Sequence, residues 1–165
     1  MNKKGKFRIK NVNGNFYRIF TLKDKKGKIL SHITEPIMTK LKPRDILQII
    51  IGASILAIPV GLTEECWKLG QELPLLNVLI LALITIVFIA GFIYFNYYRY
   101  ILKEHWREYM KRVVSTYLIS FIIVAVFLTL IEKCPWSTNF MTAIKRILIA
   151  TFPCSMSATV SDILK

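Results

Sequence analysis

A chain of 165 residues that is 54% apolar, with mean hydropathy +0.47, is too short and too apolar to be a soluble multidomain enzyme. Its formal charge of +13 would suggest nucleic acid in a soluble protein. The placement of that charge along the chain gives it a different cause and disfavours nucleic acid as a partner.

The first 35 residues read differently from the rest. Phe7-Arg8-Ile9-Lys10-Asn11-Val12 alternates apolar and polar, Asn13-Gly14 follows, and a second run extends from Phe16 to Leu22. The turn-prone Asp24-Lys25-Lys26-Gly27 then leads to a third run from Lys28 to Thr34. An Asn-Gly pair between two alternating runs is a strong hairpin signal. The pattern predicts a small three-stranded β-meander within a basic cytoplasmic segment, residues 1–43. It has too few apolar residues for a core of its own, so it should lean on a neighbour. A disordered basic arm is the alternative. The basic start is not followed by an apolar h-region, so no cleavable signal peptide is expected, and the first span should insert as an uncleaved anchor.

Four apolar stretches follow, free of charge over residues 46–63 (18), 73–98 (26), 113–131 (19) and 147–161 (15). Crossing a hydrocarbon core takes ~20 helical residues, because the backbone must satisfy its own hydrogen bonds there. Residues 44–165 are therefore expected to form an all-α membrane fold, a four-transmembrane-helix bundle with helices at about 45–68, 74–100, 111–132 and 140–164. With four spans, 19 of the 23 Lys and Arg fall on one side, leaving Lys68, Lys133, Lys145 and Arg146 on the other. The positive-inside rule then puts both termini in the cytoplasm of a protein of the plasma membrane. Tyr94, Tyr97, Tyr98, Tyr100, Trp106 and Tyr109 crowd the inner end, as an aromatic belt should. Residues 99–112 read as a helical, headgroup-facing turn in which His105 is an interfacial side chain.

Polar residues inside spans are costly and so are the default functional candidates. On a wheel of about 100° per residue, Ala53, Ala57, Gly61, Glu64 and Lys68 share one face of the first helix. Asp45, Gln48, Gly52, Pro59, Thr63 and Cys66 lie on the other. Pro59 should kink that helix and free a carbonyl. The last helix offers a comparable stripe in Thr151, Ser155, Ala158 and Asp162, interrupted by Pro153. Pro-broken helices with polar stripes suit a binding site or pore in a small transporter. Glu64, Glu65, Lys145 and Arg146 fall in the same outer third and form the candidate ion or charge-cluster site; Gln48, Pro59, Thr63, Thr151, Ser155 and Asp162 are its candidate polar lining. The competing reading is that the four charges snorkel in the headgroup layer, and that Asp162 sits at the inner interface. No metal set, cofactor or catalytic motif is visible. Cys66 and Cys134 could approach near the outer surface, but free thiols are the favoured reading.

Two segments are also familiar. Gly52-Ala-Ser-Ile-Leu-Ala-Ile-Pro-Val-Gly-Leu-Thr-Glu-Glu-Cys-Trp-Lys-Leu-Gly70 and Phe152-Pro-Cys-Ser-Met-Ser-Ala-Thr-Val-Ser-Asp162 resemble a family of small prokaryotic integral membrane proteins, domain of unknown function 2391. The resemblance covers roughly Arg44 to the end. It implies a multi-span helical membrane protein and supplies no binding or catalytic residues. Residues and resemblance together point to a channel or transporter for a small cationic solute, embedded in lipid and homo-oligomeric. The alternative is a non-transporting regulatory or sensor subunit that meets a cytoplasmic protein through residues 1–35. An intramembrane enzyme is disfavoured.

Overall fold

The computed structural model describes residues 7–12, 15–23, 29–37, 41–99 and 102–164. The chain divides into two compact units, Met1–Lys40 and Leu41–Lys165. The turns anticipated at Asn13-Gly14 and from Asp24 to Gly27, and Tyr100 of the aromatic belt, lie outside the described residues.

In the first unit, β1 (Phe7–Val12), β2 (Asn15–Lys23) and β3 (Ile29–Ile37) form an antiparallel sheet in the order β1-β2-β3. Phe7 is opposite Phe20, Val12 opposite Asn15 and Phe16 opposite Ile37, with an irregularity in the β2–β3 register at Leu22/Lys23. Pro36 faces Tyr17 on the edge strand β3, where a missing backbone donor is tolerated.

The second unit is helical: α1 (Pro43–Gly61), α2 (Glu64–Glu72), α3 (Leu75–Ile93), a π-helical turn (Tyr94–Tyr98), α4 (Leu102–Leu130) and α5 (Phe140–Ile163). Proline at the first position of α1 forfeits only a donor that has no partner in any helix. Asp45 takes the Lys42 N–H at 3.1 Å. The first helix does not run on to residue 68 as the pattern suggested. It ends two residues after Pro59, turns through Leu62 and Thr63, and restarts as α2. The loosened end is closed by side chains: Thr63 donates to the Val60 carbonyl (2.7 Å) and the Trp67 indole to that of Gly61 (2.8 Å). α4 ends with Lys133 N–H bonded to the Leu128 carbonyl and Glu132 N–H to that of Thr129, Glu132 adopting φ 58°. That is the left-handed reversal that follows many helices, here with a side chain instead of glycine.

Among the described residues, three helices are long and apolar enough to cross a membrane: Pro43–Gly61, Leu75–Tyr98 and His105–Leu130. α5, at 24 residues, is long enough but carries Lys145, Arg146 and Asp162, and is not among the three. Its burial explains its composition. Twelve of its 24 residues are buried, against four of 19 in α3, and it touches each of the other four helices. The outward faces of its neighbours are the greasy ones: Ile51, Ile55 and Ile58 on α1, Leu83 and Val87 on α3, Ile122 and Val126 on α4 are all exposed. The polar side chains of α5 are thus enclosed within a largely apolar core, and the flanks of the bundle are apolar.

Small residues let the backbones meet. Gly52, Ala53 and Ala57 of α1 are buried, as are Cys154, Ser155 and Ala158 of α5. A methyl group at Gly52 would lie 2.5 Å from Ser161 Cβ and 2.8 Å from Ala158 Cα. Close approach of this kind supplies van der Waals attraction where lipid offers no hydrophobic drive. Gly52→Val should therefore part α1 from α5 and cost at least about 1–3 kcal/mol. Gly91→Val, at a position with open space around it, should unfold like the wild type. Thermal unfolding of both variants in detergent checks this.

Candidate functional site

The start of α1, the early part of α4 and the end of α5 lie together at one end of the bundle, and each contributes a charged side chain to a common point. Arg112 (0% exposed) donates from Nε to Asp162 Oδ2 at 2.8 Å and from Nη2 to Asp162 Oδ1 at 2.7 Å, a two-pronged contact. Nη2 also reaches Asp45 Oδ2 at 3.3 Å. Asp45 and Asp162 are as buried as the arginine, at 1% and 0% exposed.

The surroundings complete the arrangement. The guanidinium lies over the Tyr97 ring, 4.1 Å from its centroid, where the ring's negative face attracts a cation. The Tyr97 hydroxyl donates to the Asp162 main-chain carbonyl (2.9 Å), and Gln48 Nε2 donates to that of Leu164 (3.2 Å). Two otherwise orphaned carbonyls at the end of α5 are thereby satisfied. The π turn sets this up. Its wider winding lets consecutive residues approach the core, and Tyr98, beside Tyr97, is fully buried. The Asn96 amide donates to the Phe92 carbonyl (2.8 Å), which an α-helix would pair with the Asn96 N–H. Tyr109, on α4, packs edge-on against Tyr98 with centroids 5.4 Å apart and donates to the Ala90 carbonyl (3.0 Å).

The four charges anticipated as an outer cluster are held separately. Glu64 and Glu65 are exposed in the first turn of α2, where carboxylates complement the helix dipole, and Glu64 pairs with exposed Lys68 at 3.3 Å. Lys145 Nζ donates to the Leu73 carbonyl (2.7 Å). Arg146, 8% exposed, donates to the carbonyls of Trp67 (3.2 Å) and Lys133. These two cations cap the end of α2 and the loop before α5. Gly70 makes room for the arginine, since a methyl there would lie 2.3 Å from Arg146 Cγ.

Of the anticipated lining, Pro59 and Thr63 are exposed and Gln48 is half-buried. Thr151 and Ser155 are fully buried, donating back to the carbonyls of Ile147 (2.7 Å) and Phe152 (3.0 Å). Asp162 is fully buried in the ion set with Arg112. Sequence reasoning missed Arg112 and Tyr97 and left Asp45 on a face away from the packing. A signal for Arg112 was present. Arg112, Thr116, Ser120, Val124 and Leu128 recur every four residues, and all five are buried. The arginine heads the inward row of α4.

Cys66, Cys134 and Cys154 are free, buried thiols of one core cluster. Burial pushes the Cys66 and Cys134 thiols up, with the Arg146 charge opposing less strongly. No group of three or more metal-ligating side chains occurs among the described residues.

Residues 45–164 match the model of a protein family described as "Putative integral membrane protein (DUF2391)". No curated protein and no solved structure matches the chain significantly.

Removing the guanidinium strands buried carboxylates. Arg112→Met should cost about 3–5 kcal/mol, whereas Lys111→Met, one residue away in an exposed pair with Glu108, should stay within about 0.5 kcal/mol; chemical unfolding in detergent compares them. Raised thiols also mean little thiolate. At pH 8, Cys66 and Cys134 should react with maleimide at least about tenfold more slowly than a cysteine introduced by Glu65→Cys, as followed by mass spectrometry.

Proposed function

Since the chain belongs to this family of integral membrane proteins, we propose that it carries a small cation across a bilayer, and that the Asp45–Arg112–Asp162 set is the charged centre of that activity. The observation that carries this reading is the set itself. An arginine and two carboxylates, drawn from three helices, are buried in a bundle whose flanks are apolar. Ionisable groups are expensive in that setting, and in membrane proteins they mark ion and proton pathways by default. Stability alone does not call for them, because apolar side chains of similar volume commonly serve as well.

In this proposal α5 is the fourth span. Its polar residues are covered by neighbours, so its own hydropathy understates its fitness for the membrane. Four crossings return both termini to one side together with 19 of the 23 basic residues, which makes that side the cytoplasm. The Arg112 set then lies at the inner end, and Glu64 and Glu65 form an acidic outer entrance. Thr151 and Ser155 lie between the two, and the bilayer in question is the plasma membrane. Four helices enclose little volume, which favours an assembly of several copies. A second reading draws on the separate compactness of the amino-terminal unit: a small cytoplasmic β-meander that binds a regulatory protein partner.

The test is flux. Full-length protein in liposomes, under an imposed membrane potential, should pass at least one of a panel of monovalent cations including the proton. Arg112→Lys, which keeps the charge and loses the two-pronged contact, should lower the rate by at least about tenfold. A wild-type rate equal to that of empty vesicles for every cation would sink the proposal.

A further inference from the structure

Polar atoms without partners gather beside the ion set. Among the described residues, Arg112 Nη1, Thr116 Oγ1 and Gln48 Oε1 are buried and make no hydrogen bond. All three lie within about one helical turn of the triad, since Thr116 follows Arg112 by four residues on α4 and Gln48 follows Asp45 by three on α1. Arg112 and Thr116 are both 0% exposed. Buried polar groups in folded proteins are almost always paired, and an unpaired one points to a water or ion.

The chemistry of the three atoms selects the ligand. Nη1 offers N–H donors and needs an acceptor. Gln48 Oε1 is an acceptor and needs a donor. The Thr116 hydroxyl can serve as either. A metal cation satisfies no N–H. Water accepts from Nη1 and donates to an amide or hydroxyl oxygen. We infer that the Arg112 end of the bundle holds internal water at Arg112 Nη1, Thr116 Oγ1 and Gln48 Oε1, and that the cation carried is the proton, passed along this water. The inference rests on the cation-transport reading and names its ion.

A path onward is built into the same helices. Beyond Thr116, α4 presents buried Ser120, and beyond Asp162, α5 presents buried Thr159, Ser155 and Thr151. Ser120, Thr159, Ser155 and Thr151 donate to carbonyls of their own helices. Their lone pairs remain available to accept from water. Each hop passes a proton from one water to the next, breaking one O–H bond and forming another, while the hydroxyls, their own protons held by helix carbonyls, accept from the waters and keep them in line. The charged and titratable groups facing the site are Asp45 from α1, Tyr97 and Tyr98 from the π turn, Arg112 from α4 and Asp162 from α5.

The experiment uses the full chain in liposomes with a trapped pH dye, a potassium gradient and valinomycin, alongside parallel vesicles that report sodium and rubidium. Wild type should move protons. Thr116→Val should slow them at least about tenfold with no fall in melting temperature, because the hydroxyl bonds no protein group and valine fills the same space, and Thr116→Ser should restore the rate. Infrared spectra of the wild-type protein should show an internal-water O–H band that shifts in H₂¹⁸O. Passage of sodium or rubidium without protons would overturn the inference while leaving cation transport standing; passage of no cation would end both. Wild-type spectra without the water band, or Thr116→Val conducting like wild type, would also overturn it.

Discussion

A polar helix enclosed by apolar ones must find a partner for each charge and each end carbonyl it buries, and the second unit is organised around that requirement. α5 carries cations near its start and a carboxylate near its finish, the reverse of what its own dipole favours. Both ends are rescued by neighbours. At the start, Lys145 and Arg146 reach carbonyls of α2, its cap and the preceding loop. At the finish, Arg112 grips Asp162 while Tyr97 and Gln48 take main-chain carbonyls. Between the ends, small side chains on α1 and α5 allow backbone contact that bulkier residues would prevent. α2, α4 and the π turn are thus tied to α5 by directed bonds, while α3 meets it by packing.

Departures from regular structure occur at both ends of the bundle, as after Pro59 and at Glu132, but those of one end surround buried charge. The π turn, the non-helical backbone of His105 (φ −127°, ψ 30°), the buried ion set and the unpartnered polar atoms all occur there. Proteins break local rules mainly where function requires it, with well-packed structure elsewhere compensating. The opposite end is conventional by comparison. Its acidic pair sits at a helix start and its basic pair on carbonyls, which is how such groups are ordinarily accommodated. This asymmetry moves attention from Glu64 and Glu65, conspicuous in the sequence, to Arg112, which is not.

The membrane setting was legible because hydropathy reports exposed apolar surface, and α1, α3 and α4 each carry a row of exposed apolar side chains. The same measure understates α5, half of whose buried residues are polar and are satisfied within the protein. Helix 1 misled for a local reason. Periodicity continues through residues 61–68, and only the combined effect of Pro59 and side-chain bonds to the freed carbonyls makes the chain turn. A wheel drawn through that break put Glu64 on the packed face that Ala53 and Gly61 do occupy. The ion set was hidden by distance: Asp45 and Arg112 are 67 residues apart, and Arg112 and Asp162 are 50. Each of the three looked like the edge of an apolar run. Four-residue spacing from Leu128 back to Arg112 was the available clue.

The order of the helices along the chain bears on how such a protein is made. α1 to α4 leave the ribosome before α5, and three of their stretches are greasy enough to enter the bilayer unaided. α5 carries Lys145, Arg146 and Asp162, and the groups that satisfy them, the carbonyls of Trp67, Leu73 and Lys133 and the Arg112 guanidinium, all precede it in the chain. Until it arrives, the Arg112 guanidinium has no Asp162 to meet, and nascent chains are open along the seam that it fills. Docking of α5 therefore completes both the charge pairing and the small-residue seam of this unit, and a copy in which it fails leaves both open.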